Sequence, residues 1–212
     1  MKKLLKQCGL IVAGLALSLG VAHAADEAPD ALIKRISQDV MDVAKTDKDI
    51  QAGDQGKILN LVETKVLPYV DFQRMTALAA GRNWRAATPE QQQELVKQFR
   101  SLLIYTYAGA LSQVKDQRLE YKPFRADPAD TDVEVRSQVI TPRAGQVIEL
   151  NYRLGKGADG GWKIYDINVL GAWLIETYKN NFNDVINKSG IDGLISTLTA
   201  KNAKLANNFT KK

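Results

Sequence analysis

The chain has 212 residues, a net charge of +5 from 29 basic and 24 acidic side chains, one histidine and one cysteine. His23 and Cys8 both fall in the first 24 residues, where Lys2, Lys3 and Lys6 precede an apolar run from Leu10 to Val21 that closes on Ala22-His23-Ala24. That order predicts a cleaved secretory leader, too short for a stable membrane span.

The expected product begins near Ala25 with 188 residues, 26 basic and 24 acidic side chains, and neither His nor Cys. A Cys nucleophile, a Ser-His-Asp relay, a His-containing zinc site and haem ligation are then excluded. No disulfide and no lipid-anchoring cysteine remain, so the fold must rest on its core. A chain of this size buries roughly 70% of its unfolded surface, enough for one domain over 25–212. Lys and Arg are interspersed with Asp and Glu, without the basic face that polyanion binding needs.

From Ala28 to Thr46, the residues Leu32, Ile33, Ile36, Val40 and Val43 recur at helical spacing, with Asp26 or Asp30 as the capping residue. Lys45 to Gly56 is polar and reads as a turn or a frayed join. The pattern resumes with Ile58, Leu59, Val62, Val66 and Leu67 until Pro68 interrupts it. A short helix from Asp71 to Ala80 is expected to end at Gly81. Thr88-Pro89-Glu90-Gln91 then places Thr at a cap, Pro at the first helical position and Gln three residues after the cap. The long helix it opens carries Leu95, Val96, Phe99, Leu102, Leu103, Tyr107 and Leu111.

At Leu119 the apolar period changes to two. Runs near 119–123, 133–139, 147–152 and 162–170 are separated by turn-rich stretches, and predict four consecutive antiparallel strands. The tail returns to helix: Trp173, Leu174, Tyr178, Phe182 and Ile186 form one stripe up to Ser189-Gly190, and a last helix follows from Ile191. Helices, a meander and helices again define the α+β class.

Five helical stretches exceed what one face of a four-stranded sheet requires. Periodicity does not distinguish a solid core from a cavity wall, and Val66, Leu67, Tyr69, Phe72, Met75, Leu78, Leu103, Tyr107, Trp173, Tyr178 and Phe182 fit either role. The remaining enzyme chemistry is carboxylate chemistry, with Asp166 beside Tyr165 as an isomerase pair. Neighbouring strand residues point to opposite faces, which opposes that pairing unless a bulge intervenes.

Two blocks carry a family resemblance. The first is Leu67-Pro68-Tyr69-Val70-Asp71-Phe72-Gln73-Arg74-Met75-Thr76-Ala77-Leu78-Ala79, followed by Gly81-Arg82-Asn83-Trp84-Arg85 and Ala87-Thr88-Pro89-Glu90-Gln91. The second is Gly161-Trp162-Lys163-Ile164-Tyr165-Asp166-Ile167-Asn168-Val169, continued by Gly171, Leu174, Ile175 and Tyr178, with Ser189-Gly190-Ile191-Asp192-Gly193-Leu194 after it. In this order they resemble the MlaC, or toluene-tolerance, family of periplasmic phospholipid-binding proteins.

The resemblance implies a carrier in the periplasm of a Gram-negative bacterium that shuttles a diacyl glycerophospholipid, with no cofactor and no metal. Its implied partners are an inner-membrane ABC transporter with an MCE-domain ring and an outer-membrane lipoprotein or porin complex; the implied role is outer-membrane lipid asymmetry and solvent tolerance. The implied fold is a strongly bent antiparallel or mixed sheet of about four strands with helices on its concave side, of NTF2- or cystatin-like shape, around an apolar cavity. Leu150, Ile164, Ile167, Val169 and Leu174 join the eleven residues above as expected cavity lining. Phe72 is bulkier than its counterpart in some relatives. Tyr69, Arg82, Arg85, Lys163 and Tyr165 are the expected contacts of the headgroup at the mouth, Arg as a two-pronged donor and Lys as a point charge. The segments Pro68–Gly81 and Ala172–Asn187 are the expected gate. An isomerase and a structural envelope adaptor with a filled core are the alternatives.

Overall fold

The computed structural model describes residues 27–142 and 145–210; the expected leader and its cleavage point lie outside them. Helix α1 (Pro29–Thr46) starts on Pro29 with Ala28 at the cap position, so Asp30 lies in the first turn rather than at the cap, and Asp26 falls outside the described residues. Proline supplies the helical φ and lacks only an N–H that would have no partner there. The polar join contains a short helix, α2 (Lys48–Gln51), capped by Asp47, and α3 (Gln55–Lys65) follows, capped by Asp54. A 3-10 turn, Leu67–Tyr69, leads into α4 (Phe72–Ala80), whose Asp71 cap accepts from the Arg74 N–H at 2.8 Å. A second 3-10 segment, Gly81–Ala86, leads to α5 (Pro89–Tyr107), where both reciprocal bonds of the Thr88–Gln91 capping box form. A third, Ala108–Gln113, leads into the sheet.

The strands are β1 (Arg118–Tyr121), β2 (Asp132–Thr141), β3 (Gln146–Lys156), β4 (Trp162–Val169) and β5 (Ala172–Trp173), antiparallel in the order β1-β2-β3-β4-β5. The fifth strand exceeds the four expected. It arises because Leu170 and Gly171 both take positive φ (55° and 85°), which closes a two-residue hairpin and pairs Val169 with Ala172. Helix α6 (Leu174–Thr210) follows, broken at Gly190, whose φ of 71° and ψ of −175° only glycine adopts readily.

Register assigns the faces. Val135 opposes Tyr152, Val139 opposes Ile148 and Leu154 opposes Ile164, all on the inward face. Glu134, Arg136, Glu149 and Arg153 point to the other side, with Glu134 and Arg136 ion-paired at 3.4 Å. The helices lie on one face of the sheet, as in the NTF2-like shape. Helix α1 covers the inward face through Leu32, Ile33 and Ile36, packed with Val135, Tyr152, Leu154, Trp162 and Ile164.

A second, wholly helical cluster joins α4, α5 and α6. Phe99 meets Tyr178 and Phe182 edge-on, each with centroids 5.0 Å apart, and Met75, Leu95, Leu102 and Leu194 close around them. A third joins α1 to α3 with Ala108 and Phe209. Two hydrophobic clusters therefore lie among the helices and a third lies between α1 and the sheet.

Candidate functional site

Between α1 and the inward face of the sheet lies a cavity of about 480 Å³. Helix α1 contributes Ile33, Ile36, Val40 and Met41, while Ala110, Leu111 and Val114 come from the third 3-10 segment and the loop after it. Leu119, Val139, Ile148, Leu150, Ile164 and Ile167 form the sheet wall, and Val66 completes the lining from the end of α3. Ile164 and Ile167 share this face although they are three apart, because the β3–β4 register shifts at Arg153/Leu154 and Tyr165 is the extra residue. No Asp, Glu, Lys or Arg among the described residues lines the cavity.

Its polar lining divides into two sets. Ser37 and Tyr152 lie inside, with Ser37 Oγ and the Tyr152 hydroxyl 3.5 Å apart. Burial of Tyr152 pushes its phenol up to about 12, so it stays protonated. Gln113, Gln117, Thr141 and Gln146 form the outer set, at the end of the sheet where Thr141 pairs with Gln146. Gln113 and Gln146 are exposed, while Ile33, Ile36 and Ile164 are buried, so the mouth is at the glutamines and the floor at the isoleucines.

Of the residues expected to line the lipid site, Val66, Leu150, Ile164 and Ile167 border this cavity. Met75, Leu103, Leu174, Tyr178 and Phe182 are buried in the solid α4–α5–α6 cluster, and Phe72 packs against it. Leu67 packs in the α1–α3 core. Val169 pairs with Leu150 and Ala172 at the end of β4. Trp173 lies against the Arg153 guanidinium at 3.8 Å, and Leu78 and Tyr107 are exposed, at 42% and 39%. The two segments expected to form the gate pack on each other in this same cluster, which holds Met75 and Ala79 with Tyr178 and Phe182.

The expected headgroup residues are also dispersed. Arg82 and Arg85 sit exposed on the second 3-10 segment. The Tyr69 hydroxyl accepts from Arg35, whose guanidinium is held by Glu27 at 2.7 and 2.8 Å. Tyr165 lies 3.6 Å beneath the Arg74 guanidinium, which also pairs with Asp132. Lys163 donates to the Pro68 carbonyl at 2.9 Å. It pairs with Gly155, nine residues along β3 from Gln146, which at 3.2–3.4 Å per residue is about 30 Å from the mouth.

Asp166 has no access to the cavity. It is fully buried and accepts from the N–H groups of Ile167 (2.9 Å) and Ile175 (3.1 Å), with Arg153 at 3.4 Å. Burial raises its pKa, and these two N–H groups and Arg153 oppose the rise. It ties the first turn of α6 to the sheet, and Tyr165 beside it is engaged with Arg74, so the pair forms no isomerase site.

Sequence reasoning missed the cavity residues of α1, those of the 108–117 stretch and the inward positions Leu119, Val139, Ile148 and Tyr152. The strand alternation carried the signal for the last group: Val139, Ile148, Leu150 and Tyr152 fall on one face once β2 and β3 are paired. Nothing in the sequence marked the polar stretch around Gln113 and Gln117 as a wall.

An antiparallel meander with its helices on one face, holding an apolar cavity in which no described lining residue is charged, defines the class. The chain belongs to the MlaC family, whose model, described as MlaC protein, matches residues 34–200. It is similar to the intermembrane phospholipid transport system binding protein MlaC of Haemophilus influenzae, 27% identical over 157 residues, covering 71% of this chain and 73% of that one. It is 24% identical over 188 residues to the toluene tolerance protein ttg2D of Pseudomonas putida, covering 87% and 84% of the two chains. Among solved structures it resembles the phospholipid-binding protein of Ralstonia solanacearum in complex with a phospholipid, with a TM-score of 0.78 and 49% identity over 84% of this chain and 98% of that one.

Proposed function

We propose that this protein is a non-enzymatic phospholipid carrier of the Gram-negative periplasm, exported by the leader at 1–24 as a single domain over 25–212. The observation that carries the reading is the apolar cavity between α1 and the sheet, in a chain 49% identical to a relative solved with a phospholipid. The acyl part of the lipid occupies the cavity and the phosphate end remains at the mouth, because an unpaired phosphate inside would be costly. The volume also bears on how the lipid fits. If a methylene takes roughly the 30 Å³ that a water takes in the liquid, 480 Å³ holds about 16 methylenes. One acyl chain fills it, and a second requires the wall to move.

Aliphatic walls bind without directional bonds, so chain length and unsaturation are read weakly. The expected lipid partners at either end of the route are an inner-membrane ABC transporter with an MCE-domain ring and an outer-membrane lipoprotein complex, and the expected role is the maintenance of outer-membrane lipid asymmetry. The cavity leaves the alternative of a structural adaptor without its filled core.

Native mass spectrometry of gently purified protein, followed by solvent extraction and lipid analysis, tests the reading. It predicts a mass increment of one glycerophospholipid, recovered unmodified. Protein that never carries lipid, even after incubation with phospholipid vesicles, would falsify it.

A further inference from the structure

The floor of the cavity is not wholly apolar. Four hydroxyls converge there from four elements: Ser37 of α1, Tyr121 of β1, Ser137 of β2 and Tyr152 of β3. Tyr121 opposes Ser137, and Tyr152 opposes Val135, two residues along from Ser137, so all three strand residues face inward. From Gln146 at the mouth to Tyr152 is six residues of β3, about 20 Å at 3.2–3.4 Å per residue. Ser37 and Tyr152 border the open volume and meet each other, helix to sheet, at 3.5 Å. The Ser137 hydroxyl donates to the Leu150 carbonyl at 2.6 Å. The Tyr121 hydroxyl is buried and has no hydrogen bond of ordinary geometry among the described residues, although Ser37 is near enough to oppose the rise that burial gives its pKa. Tyr152 feels all three neighbours: burial raises its pKa to about 12, Ser37 opposes the rise, Tyr121 adds to it and Ser137 opposes it.

We infer that Ser37, Tyr121 and Tyr152 form a polar stop that limits how long an acyl chain the cavity admits. This rests on the carrier reading and adds to it a statement of specificity. A chain entering at the glutamines runs along aliphatic wall and then reaches the Ser37–Tyr152 pair. Methylenes driven further would part that pair and leave two more buried hydroxyls beside Tyr121 without partners, which costs more than the first added methylenes recover. The aliphatic walls read length weakly, and the hydroxyls set the limit those walls lack. A ring without its hydroxyl has no bond to lose and yields to the chain.

The test loads the lipid-free full chain from vesicles of two phosphatidylethanolamines in equal amounts, one with chains of about 16 carbons and one with chains of about 20, at and beyond what 480 Å³ holds. Mass spectrometry of the bound lipid gives their ratio. Wild type is expected to take the shorter lipid about tenfold over the longer. The double variant Ser37→Ala, Tyr152→Phe removes both hydroxyls of the pair and keeps the ring, and its preference should narrow to about twofold or less. Circular dichroism and thermal melting confirm that the variant is folded. If it is not, Tyr121→Phe replaces it, because that change deletes a hydroxyl with no hydrogen bond to lose; its preference should narrow to about threefold.

The inference is overturned if wild type takes both lengths equally. It is also overturned if the folded variant keeps the wild-type ratio, since the ring and not its hydroxyl would then set the limit, or if the variant favours the shorter lipid still more. A wild type that takes neither lipid refutes the carrier reading itself, which separates the two failures.

Discussion

Leu150 stands in the middle of β3, half-buried, opposite Ser137 on one side and Val169 on the other, with its side chain on the cavity wall. Leu150→Trp keeps that position apolar and pushes an indole into the open volume, where it displaces about two methylenes' worth of ligand. Each methylene left in water is worth about 0.8 kcal/mol, so lipid retention should weaken by about 1.6 kcal/mol, or roughly fifteenfold. The cavity itself, rather than packed core, receives the added atoms, so stability should fall by no more than the ~1 kcal/mol at the low end of small-to-large changes. The assay is exchange of labelled phospholipid from preloaded protein into excess vesicles, with the acyl profile of the retained lipid read by mass spectrometry. Faster release and a profile shifted to shorter chains are expected. A folded variant with unaltered release and an unaltered profile would mean that no acyl chain lies against Leu150, and the placement of the ligand would be wrong.

Phe99→Ala empties the centre of the α4–α5–α6 cluster and should cost about 3–5 kcal/mol in urea unfolding, while the folded fraction keeps its acyl profile; a changed profile would put lipid in that cluster after all. Asp166→Ala strands the Ile175 and Ile167 N–H groups and should cost about 2–4 kcal/mol, less than a fully buried pair because Arg153 is partly exposed. For Asp166→Asn the pH dependence is the informative readout. Burial places the folded pKa of Asp166 above the ordinary 3.8, so the native state holds the proton more tightly than the unfolded chain. The stability of wild type relative to the Asn variant should thus decline as pH rises from 3.8 through the folded value, and an opposite slope in pH-resolved denaturation would refute the assignment. Leu170 is 70% exposed and holds a φ of 55°, a left-handed conformation that costs a bulky residue about 1–2 kcal/mol; Leu170→Asn should raise the melting midpoint, and a lowered midpoint would reveal a contact for that side chain.

The sequence was most informative where a local rule had no competitor. Thr88, Pro89 and Gln91 specify a helix start by bonds within four residues, and the structure makes both of them. Gly190 ends one helical stripe before another begins, and its backbone takes the conformation reserved for glycine. The alternation along 133–139 and 147–152 marked two strands, and β2 and β3 pair antiparallel there as expected. The position of the cavity was not legible, for a physical reason. Phe99, Tyr178 and Phe182 are bulky, apolar and helically spaced, properties shared by a core and a cavity wall, and they interlock edge-on because three rings happen to meet. Which helix faces which is a matter of long-range packing. The bulge at Tyr165, which turns both Ile164 and Ile167 inward, has no turn residue to announce it.

The division of the interior into solid and hollow parts leads to a prediction about the lipid-free state. An apolar void costs about 24 cal/mol per Å³, so a dry cavity of 480 Å³ would carry an upper bound of about 12 kcal/mol, comparable with the whole stability of a domain. The open mouth lowers that figure by admitting water, yet the wall lacks packing on its cavity side. It consists of α1 and the six-residue 3-10 segment Ala108–Gln113, whose hydrogen bonds are poorer than those of an α-helix. The aromatic cluster of α4, α5 and α6 bears no such void and can hold the fold while the wall opens. Lipid should therefore stabilise unevenly. Hydrogen exchange at Ile33–Val40 and Ala108–Gln117 should slow by an order of magnitude or more on loading, consistent with the ~2.7 kcal/mol of a ligand at a hundredfold excess over its Kd, while exchange across Phe99 to Leu103 and Tyr178 to Phe182 should barely change. Equal protection of both regions would show that the helical cluster also opens for the ligand, and the separation of a rigid core from a yielding wall would have to be abandoned.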